Sequence, residues 1–424
     1  MIASAGTWRA VAVLPASKTL DPTLQLSGWR LSTKRFSTRL LHCPGMFPGQ
    51  VSAEGTARYR NRFPHLRDAG HFRRSVHVPG VGELWLSSIG LGTYLGEPDA
   101  AADRNYTDAI ATALISGINV LDTAINYRHQ RSERNIGEAL RHGIESGEVK
   151  RDEILICTKA GYLSFDGNLP ADPRAYFMRE YVESGILDPE QLVGGMHCMS
   201  PSYLENQIER SRHNLGLETI DVFYLHNPES QLAEISREAF RQRLRDAFAI
   251  LEKLVKAGSL AYYGMATWSA FRLPEASRDY ISLAEAVEVA REVGGDEHHF
   301  RFVQLPFSLA MPEAYAFANQ SVADQSSRRQ KQSLLSTAAK LGVAVIGSAT
   351  LQQGQLTHGL PDFVSNVLGL NTDAENAIQF SRSAPGMTTS LVGMGHKERV
   401  AANLKPSVVP PTPVEQWNKL FTSH

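Results

Sequence analysis

The sequence predicts an α/β fold, a (β/α)8 TIM barrel with an N-terminal β-hairpin and a long loop insertion after the third strand. Three observations predict it. Short β-branched apolar runs alternate with longer segments of helical periodicity from about residue 75 onward. The runs number eight, the count at which parallel strands close on themselves. The glycines of "GLGTYLG" fall at 90, 92 and 96. An open doubly wound sheet would place its third glycine one residue earlier, in a G-x-G-x-x-G turn after the first strand.

The strands read, in order, "LWLSSIGLG" (84–92), "INVLDTA" (118–124), "ILICTKA" (154–160), "DVFYLH" (221–226), "AYYGMATW" (261–268), "FRFVQLPF" (300–307), "VAVIGSA" (343–349) and "TSLVGMG" (389–395). Apolar residues recurring at three and four mark the helices between them. "DRNYTDAIATALISG" precedes the second strand and "SERNIGEALRHGIESG" the third. "SPSYLENQIERSRHNLG" precedes the fourth, with Ser200 or Ser202 as its N-cap. "SREAFRQRLRDAFAILEKLVKAG" precedes the fifth. "ISLAEAVEVAREVG", "RRQKQSLLSTAAKLG" and "DAENAIQFSRSAP" follow. Several end in Gly, the usual residue just past a helix. Before the first unit, "SVHVPGVGELWLS" predicts two short strands around a Pro-Gly turn, a hairpin that closes the barrel bottom.

Two connections are long. Between residue 160 and residue 200 lies an insertion containing Tyr162, Phe165, Tyr176, Phe177 and Tyr181, and a second runs from 350 to 372. Loops of this length in compact domains are usually functional. The aromatics wall a substrate pocket in one reading and pack as a subunit contact in the other. Trp268 and Trp417 are either pocket or core. His197 and Cys198 in "GMHCM" lack spaced partners, so no metal site is expected.

Composition narrows the function. The chain has 424 residues, 42% of them apolar and 21% charged, with a net charge of −1. That balance is globular and points to neither nucleic acid nor a membrane surface. No apolar run approaches the roughly 18 residues of a spanning helix. Cys43, Cys157 and Cys198 show no CxxC spacing, which fits a reducing compartment. Residues 1–50 are set apart as a transit peptide or an extension, and residues 51–424 as the barrel domain. The N-terminal stretch carries Arg9, Lys18, Arg30, Lys34, Arg35 and Arg39 against one acid, Asp21. That pattern favours a mitochondrial address over a plastid or cytoplasmic one.

In such a barrel the reactive groups sit at the C-terminal strand ends. Those ends carry Asp122, Lys159 and His226, and Tyr127 lies just beyond Asp122. A phenol near its ordinary pKa of about 10 needs a neighbouring ammonium to lower it before it exchanges protons readily near neutral pH. Lys159 is that ammonium, Asp122 keeps it charged, and His226 donates a hydrogen bond to the substrate oxygen. Such a set handles the proton of a carbonyl/alcohol interconversion, whose hydride comes from a nicotinamide. The substrate is therefore a small carbonyl or alcohol, and the oligomeric state is open.

On "GLGTY", "LDTAINY", "ICTKAGY" and "FYLHNPE" the sequence resembles the aldo-keto reductase superfamily from about residue 73 to 405. The resemblance implies an NADP(H)-dependent carbonyl reductase whose catalytic tetrad is Asp122, Tyr127, Lys159 and His226. It places Gly92 and Thr93 at the nicotinamide end and Gln304 on the carboxamide. Ala266 and Thr267 stand where the family has a Ser-Asn pair, and only Thr267 can accept from the carboxamide. Ser348 stands in place of a stacking tyrosine. The stretch 349–356, with Leu351, covers the pyrophosphate. Lys397, Arg399 and Asn403 meet the adenosine 2′-phosphate and the adenine, since an arginine fork bonds two phosphate oxygens at once. A regulatory, redox-sensing subunit of the same fold is the alternative. An aldolase or isomerase using Lys159 as a Schiff base is the third reading.

Overall fold

The computed structural model describes residues 45–75, 82–323 and 329–422. The transit-peptide reading, Cys43 and the tip of the hairpin fall largely or wholly outside them. Eight parallel strands form a closed barrel in sequence order. They are β1 (Ile89–Gly92), β2 (Val120–Asp122), β3 (Leu155–Ala160), β4 (Ile220–His226), β5 (Leu260–Ala266), β6 (Phe300–Pro306), β7 (Ala344–Ser348) and β8 (Thr389–Gly393). Each sits inside or within two residues of its predicted run, except that "LWLSSIGLG" splits. Its first half, Trp85–Ser87, pairs antiparallel with Phe72–Arg74 as the hairpin, and only Ile89–Gly92 joins the barrel.

The strand period decides where chemistry can sit. Side chains alternate between the two faces of a strand. Val120, Leu155, Cys157, Val222, Tyr224, Phe302, Ala344 and Ile346 fill the barrel interior with Leu84 and Leu86 from the hairpin. Leu121, Ile156, Phe223, Leu225, Val303 and Val345 face the helices. Continuing each interior series by one step reaches Asp122, Lys159, His226, Gln304 and Ser348. Five different strands thereby aim a polar group inward at the same rim.

The main helices around the barrel are α1 (Ala100–Ile115), α2 (Arg131–Glu145), α3 (Pro201–Leu215), α4 (Arg237–Lys256), α5 (Leu283–Gly294), α6 (Leu334–Leu341), α7 (Asp373–Ser383) and α8 (Lys397–Leu404). Asp99, Ser236, Ser282, Ser333 and Thr372 each accept a first-turn N–H, which satisfies a donor the helix cannot. Gly216 and Gly342 end α3 and α6 with φ of 66° and 69°, where a Cβ would be strained. Ser200 stands at the N-cap of α3 but makes no side-chain cap; its hydroxyl meets the Cys198 thiol at 3.3 Å.

Two segments differ from the sequence reading. Arg329–Gln332 was expected to open α6. It instead pairs antiparallel with Gln320–Ala323, and the helix starts only after the Ser333 cap. Two helices precede the barrel, Ala53–Asn61 and Pro64–Asp68. The first is tied down by Arg58 to Glu153 at 2.8 Å and by Arg62 to the same carboxylate at 3.0 Å.

The insertion folds as short turns, Pro173–Phe177, Met178–Val182 and Pro189–Gln191. Phe165 stacks on Phe177 at 4.7 Å. Tyr181 is fully buried, its hydroxyl donating to the Ser164 carbonyl at 2.7 Å, so it is packing rather than pocket wall. Trp417 is likewise core: it is completely buried, stacks on Phe380, and its Nε1 donates to the Phe380 carbonyl at 2.9 Å.

Candidate active site

Lys159 is 1% exposed near the end of β3, and a buried ammonium needs a partner. Its Nζ donates to Asp122 Oδ1 at 2.6 Å and to the Thr123 carbonyl at 2.6 Å. Burial is the largest single influence and works against its charge, but Asp122 and, after it, Tyr127 together reverse the shift upward, so Lys159 stays an ammonium. The other Asp122 oxygen accepts from Gln304 Nε2 at 2.7 Å. Gln304 therefore commits one of its two amide N–H groups to the carboxylate, a link between β2 and β6 that the sequence reading did not foresee.

Lys159 Nζ lies 4.9 Å from the centre of the Tyr127 ring. The ring meets His226 edge to face at 5.8 Å. Tyr94, 58% exposed, also meets the ring edge to face at 5.1 Å; "GLGTY" contains it, but the sequence reading gave it no role. Burial pushes the Tyr127 phenol above its ordinary value and Lys159 only partly offsets this. The expectation that the lysine brings the phenol below that value is thus corrected: desolvation wins, and the Tyr127 phenol is protonated at neutral pH. Burial, then the Lys159 ammonium, hold His226 well below the ordinary histidine value. Its ring is neutral, and its buried Nδ1 has no partner among the described residues.

The backbone around these groups is unusual. Arg128, His129 and Gln130 run left-handed at φ of 48°, 55° and 71°, directly after Tyr127. Asn227, directly after His226, has φ 47°. Non-glycine residues adopt this region rarely and at a cost, which concentrates at functional sites. Arg128 holds its turn by donating to Asn135 Oδ1 at 2.7 Å and Asp103 Oδ1 at 2.6 Å.

The remaining predicted residues lie on the same rim. Gly92 ends β1 in register with Asp122 and Gly393. The Thr93 hydroxyl and N–H both donate to the Asp122 carbonyl at 3.1 Å, so Thr93 fastens β1 to β2. Thr267 is buried after β5 with Oγ1 unpartnered among the described residues. Ser348 ends β7, half-buried, and Leu351 packs against the core from the loop beyond. Lys397 and Arg399 are exposed on the first turn of α8 and Asn403 is buried in its last turn.

Residues 88–361 match the sequence model of the aldo/keto reductase family. The chain belongs to that family. Among curated relatives, the aldo-keto reductase chain is 24% identical to the uncharacterized oxidoreductase YqkF of Bacillus subtilis (strain 168) over 211 residues, 50% of this chain and 53% of that one. It is 25% identical to the L-glyceraldehyde 3-phosphate reductase of Escherichia coli (strain K12) over 288 residues, 66% of this chain and 64% of that one. The match thus spans about half of the first relative's length and less than two thirds of the second's. Among solved structures, the glycerol dehydrogenase AKR11B4 from Gluconobacter oxydans superposes with a TM-score of 0.56 at 18% identity, covering 83% of this chain and 94% of that one. An aldo/keto reductase from Klebsiella pneumoniae, in complex with NADP and acetate, superposes with a TM-score of 0.53 at 18% identity over 82% and 94%. At such identities the likeness establishes the barrel.

The insertion of this aldo-keto reductase reaches the site through Tyr162 and His197. Tyr162 packs edge to face on His226 at 5.3 Å, and its hydroxyl meets Ser230 Oγ at 2.9 Å. Phe165, Tyr176 and Phe177 contact one another, and Phe165 also meets His129 edge to face at 5.4 Å. The Glu229 carboxylate, in "HNPE", accepts from the N–H groups of Trp268 and Ser269 at 2.7 and 3.0 Å and so shapes the rim beside Thr267. Trp268 itself is 50% exposed. Among the described residues no group of three or more His, Cys, Asp and Glu is placed to hold a metal, and no helix is long and apolar enough to cross a membrane.

Proposed function

We propose that this aldo-keto reductase is an NADP(H)-dependent oxidoreductase that converts a small aldehyde or ketone to its alcohol, with Tyr127 as proton donor. One observation carries the reading. A buried ammonium is held charged by Asp122 at 2.6 Å, beside a phenol ring that also meets a neutral histidine.

The residues present suit the cofactor. Thr267 Oγ1 and Thr350 Oγ1 are buried polar atoms without partners among the described residues, and both follow strands of the open rim. Unpaired buried polar atoms call for an explanation, and a polar ligand supplies one. Flanking Thr350 in the chain, Ala349, Gln352 and Gln353 run left-handed at φ of 53°, 49° and 55°. Backbone in such turns presents N–H groups to an anion. Arg399 and Lys397, exposed on α8, would meet the 2′-phosphate, and Thr267 would accept from the carboxamide. Bound there, the nicotinamide supplies the hydride. The relatives' names agree in kind, a reductase of a sugar phosphate aldehyde and a glycerol dehydrogenase.

In the forward direction Tyr127 Oη passes its proton to the carbonyl oxygen as the carbon gains hydride. The phenolate left behind is stabilised by the Lys159 ammonium until solvent returns a proton. His226, neutral, donates a hydrogen bond to the same oxygen and orients it before transfer. Asp122 does no proton chemistry here; it keeps Lys159 charged.

Tyr127→Phe removes the proton and little volume. We expect reduction to fall by about 10²–10⁴, the usual worth of a positioned acid, while NADPH quenches protein fluorescence as before. The assay follows NADPH absorbance over a panel of aldehydes and ketones. Absence of turnover in the parent protein across that panel, or an undiminished rate in the variant, rejects the reading.

A further inference from the structure

We infer that His197, delivered by the insertion after β3, is a positioning residue that fixes the backbone from which His226 projects. The inference rests on the reductase reading of His226 and deepens it.

The insertion returns to its starting point as a short ribbon. The Cys198 N–H donates to the Gly161 carbonyl at 2.7 Å, and the Leu163 N–H to the Met196 carbonyl at 2.9 Å. This folds His197 beneath the end of β4, where it is 3% exposed. Its Nε2 lies 2.8 Å from the His226 carbonyl oxygen. That carbonyl sits where the strand ladder gives out, because Asn227 turns left-handed immediately after it. Gly161 makes room: a Cβ there would stand 2.5 Å from the His226 oxygen and 2.8 Å from His197 Nε2.

The proton's position follows from a chain of fixed donors. The Arg243 guanidinium can only donate, and it donates to Gln231 Oε1. The Gln231 amide nitrogen therefore faces His197, 2.7 Å from Nδ1 and 3.1 Å from the His197 carbonyl. An amide N–H donates, so Nδ1 accepts, and the ring's proton belongs on Nε2, aimed at His226. Burial supports the neutral form by lowering His197 to about 4. Both imidazoles also pack edge to face with Tyr162, at 4.9 and 5.3 Å. His197 touches no reacting atom. It sets the peptide plane, and Tyr162 sets the ring, of the residue that orients the substrate oxygen. Small misplacements of such a group cost rate far more than binding.

Three substitution states test this in the full-length protein. His197→Ala should lower kcat about tenfold or more, with KM and NADPH affinity within about twofold, because the contact it supports matters in the transition state. His197→Gln keeps an N–H donor at similar reach and should restore kcat to within about threefold of the parent. Nitrogen-15 histidine NMR reads the same arrangement without turnover. The parent should show His197 as a neutral Nε2–H tautomer, and the His226 ring signals should shift in His197→Ala and return in His197→Gln. A parent Nδ1–H tautomer overturns the inference even if His197→Ala fails to fold. So does an alanine variant with parental kcat and unmoved His226 signals. A parent protein with the expected tautomer and shifts but no carbonyl turnover supports the positioning and rejects the reductase reading alone.

Discussion

Tyr127 must hold its proton until the substrate oxygen takes it, and its surroundings favour that state. Burial raises the phenol, Lys159 pulls the other way, and burial wins. The sign of the pH dependence follows. Reduction needs the protonated phenol, so its kcat should stay level from about pH 6 through neutrality and fall only at or above the ordinary phenol value of about 10. Oxidation of the alcohol needs the phenolate, so it should rise with pH over the same range. Lys159→Met removes the opposing ammonium and should move the oxidative limb to still higher pH, besides slowing the reaction. Paired pH profiles of the two directions check this. A parental reduction rate that is halved near pH 7 would show that the phenol lies low and that the lysine dominates.

Among elements, α8 separates two roles that one motif suggested together. Arg399 and Lys397 occupy its exposed first turn, while Asn403 is buried in its last turn. An exposed guanidinium that reads a 2′-phosphate should matter only when the phosphate is present. Arg399→Ala should weaken NADPH about 10–100-fold, the range for a lost charge-assisted hydrogen bond, and leave NADH nearly unchanged in titration calorimetry. Equal losses for both nucleotides would assign Arg399 to the helix rather than to the cofactor. Elements also show what the sequence could and could not tell. The strands were legible because an interior series such as Val120–Asp122 or Leu155–Cys157–Lys159 repeats every second residue and ends on a polar group. "RQKQ" was misread because a polar stretch before an apolar helix extends that helix's pattern smoothly; only pairing with Gln320–Ala323 makes it a strand. The Gln304–Asp122 bond joins residues 182 positions apart, and local pattern carries no trace of it. The role of His197 was equally hidden, because its two ring nitrogens meet a carbonyl and an amide that lie 29 and 34 positions away.

Taken whole, the barrel divides labour between its ends, and the N-terminal end makes a separate prediction. Asp221, fully buried near the start of β4, collects three distant donors. Oδ1 accepts from the Val51 N–H at 2.7 Å and from Arg151 at 2.9 Å, and Oδ2 from the Ile156 N–H at 2.8 Å. One carboxylate thus fastens the segment before the barrel, the turn before β3 and β3 itself to β4. Asp221→Ala strands a buried guanidinium and two buried N–H groups together, which should cost about 3–5 kcal/mol. The urea midpoint should fall accordingly. The opposite rim, where Asp122, Lys159 and His226 converge, shares no hydrogen bond with Asp221 among the described residues. Turnover per folded molecule at low temperature should therefore match the parent. Loss of turnover with an unchanged midpoint would mean that the two ends are coupled through the strands, since Asp221 lies on the same β4 that ends in His226.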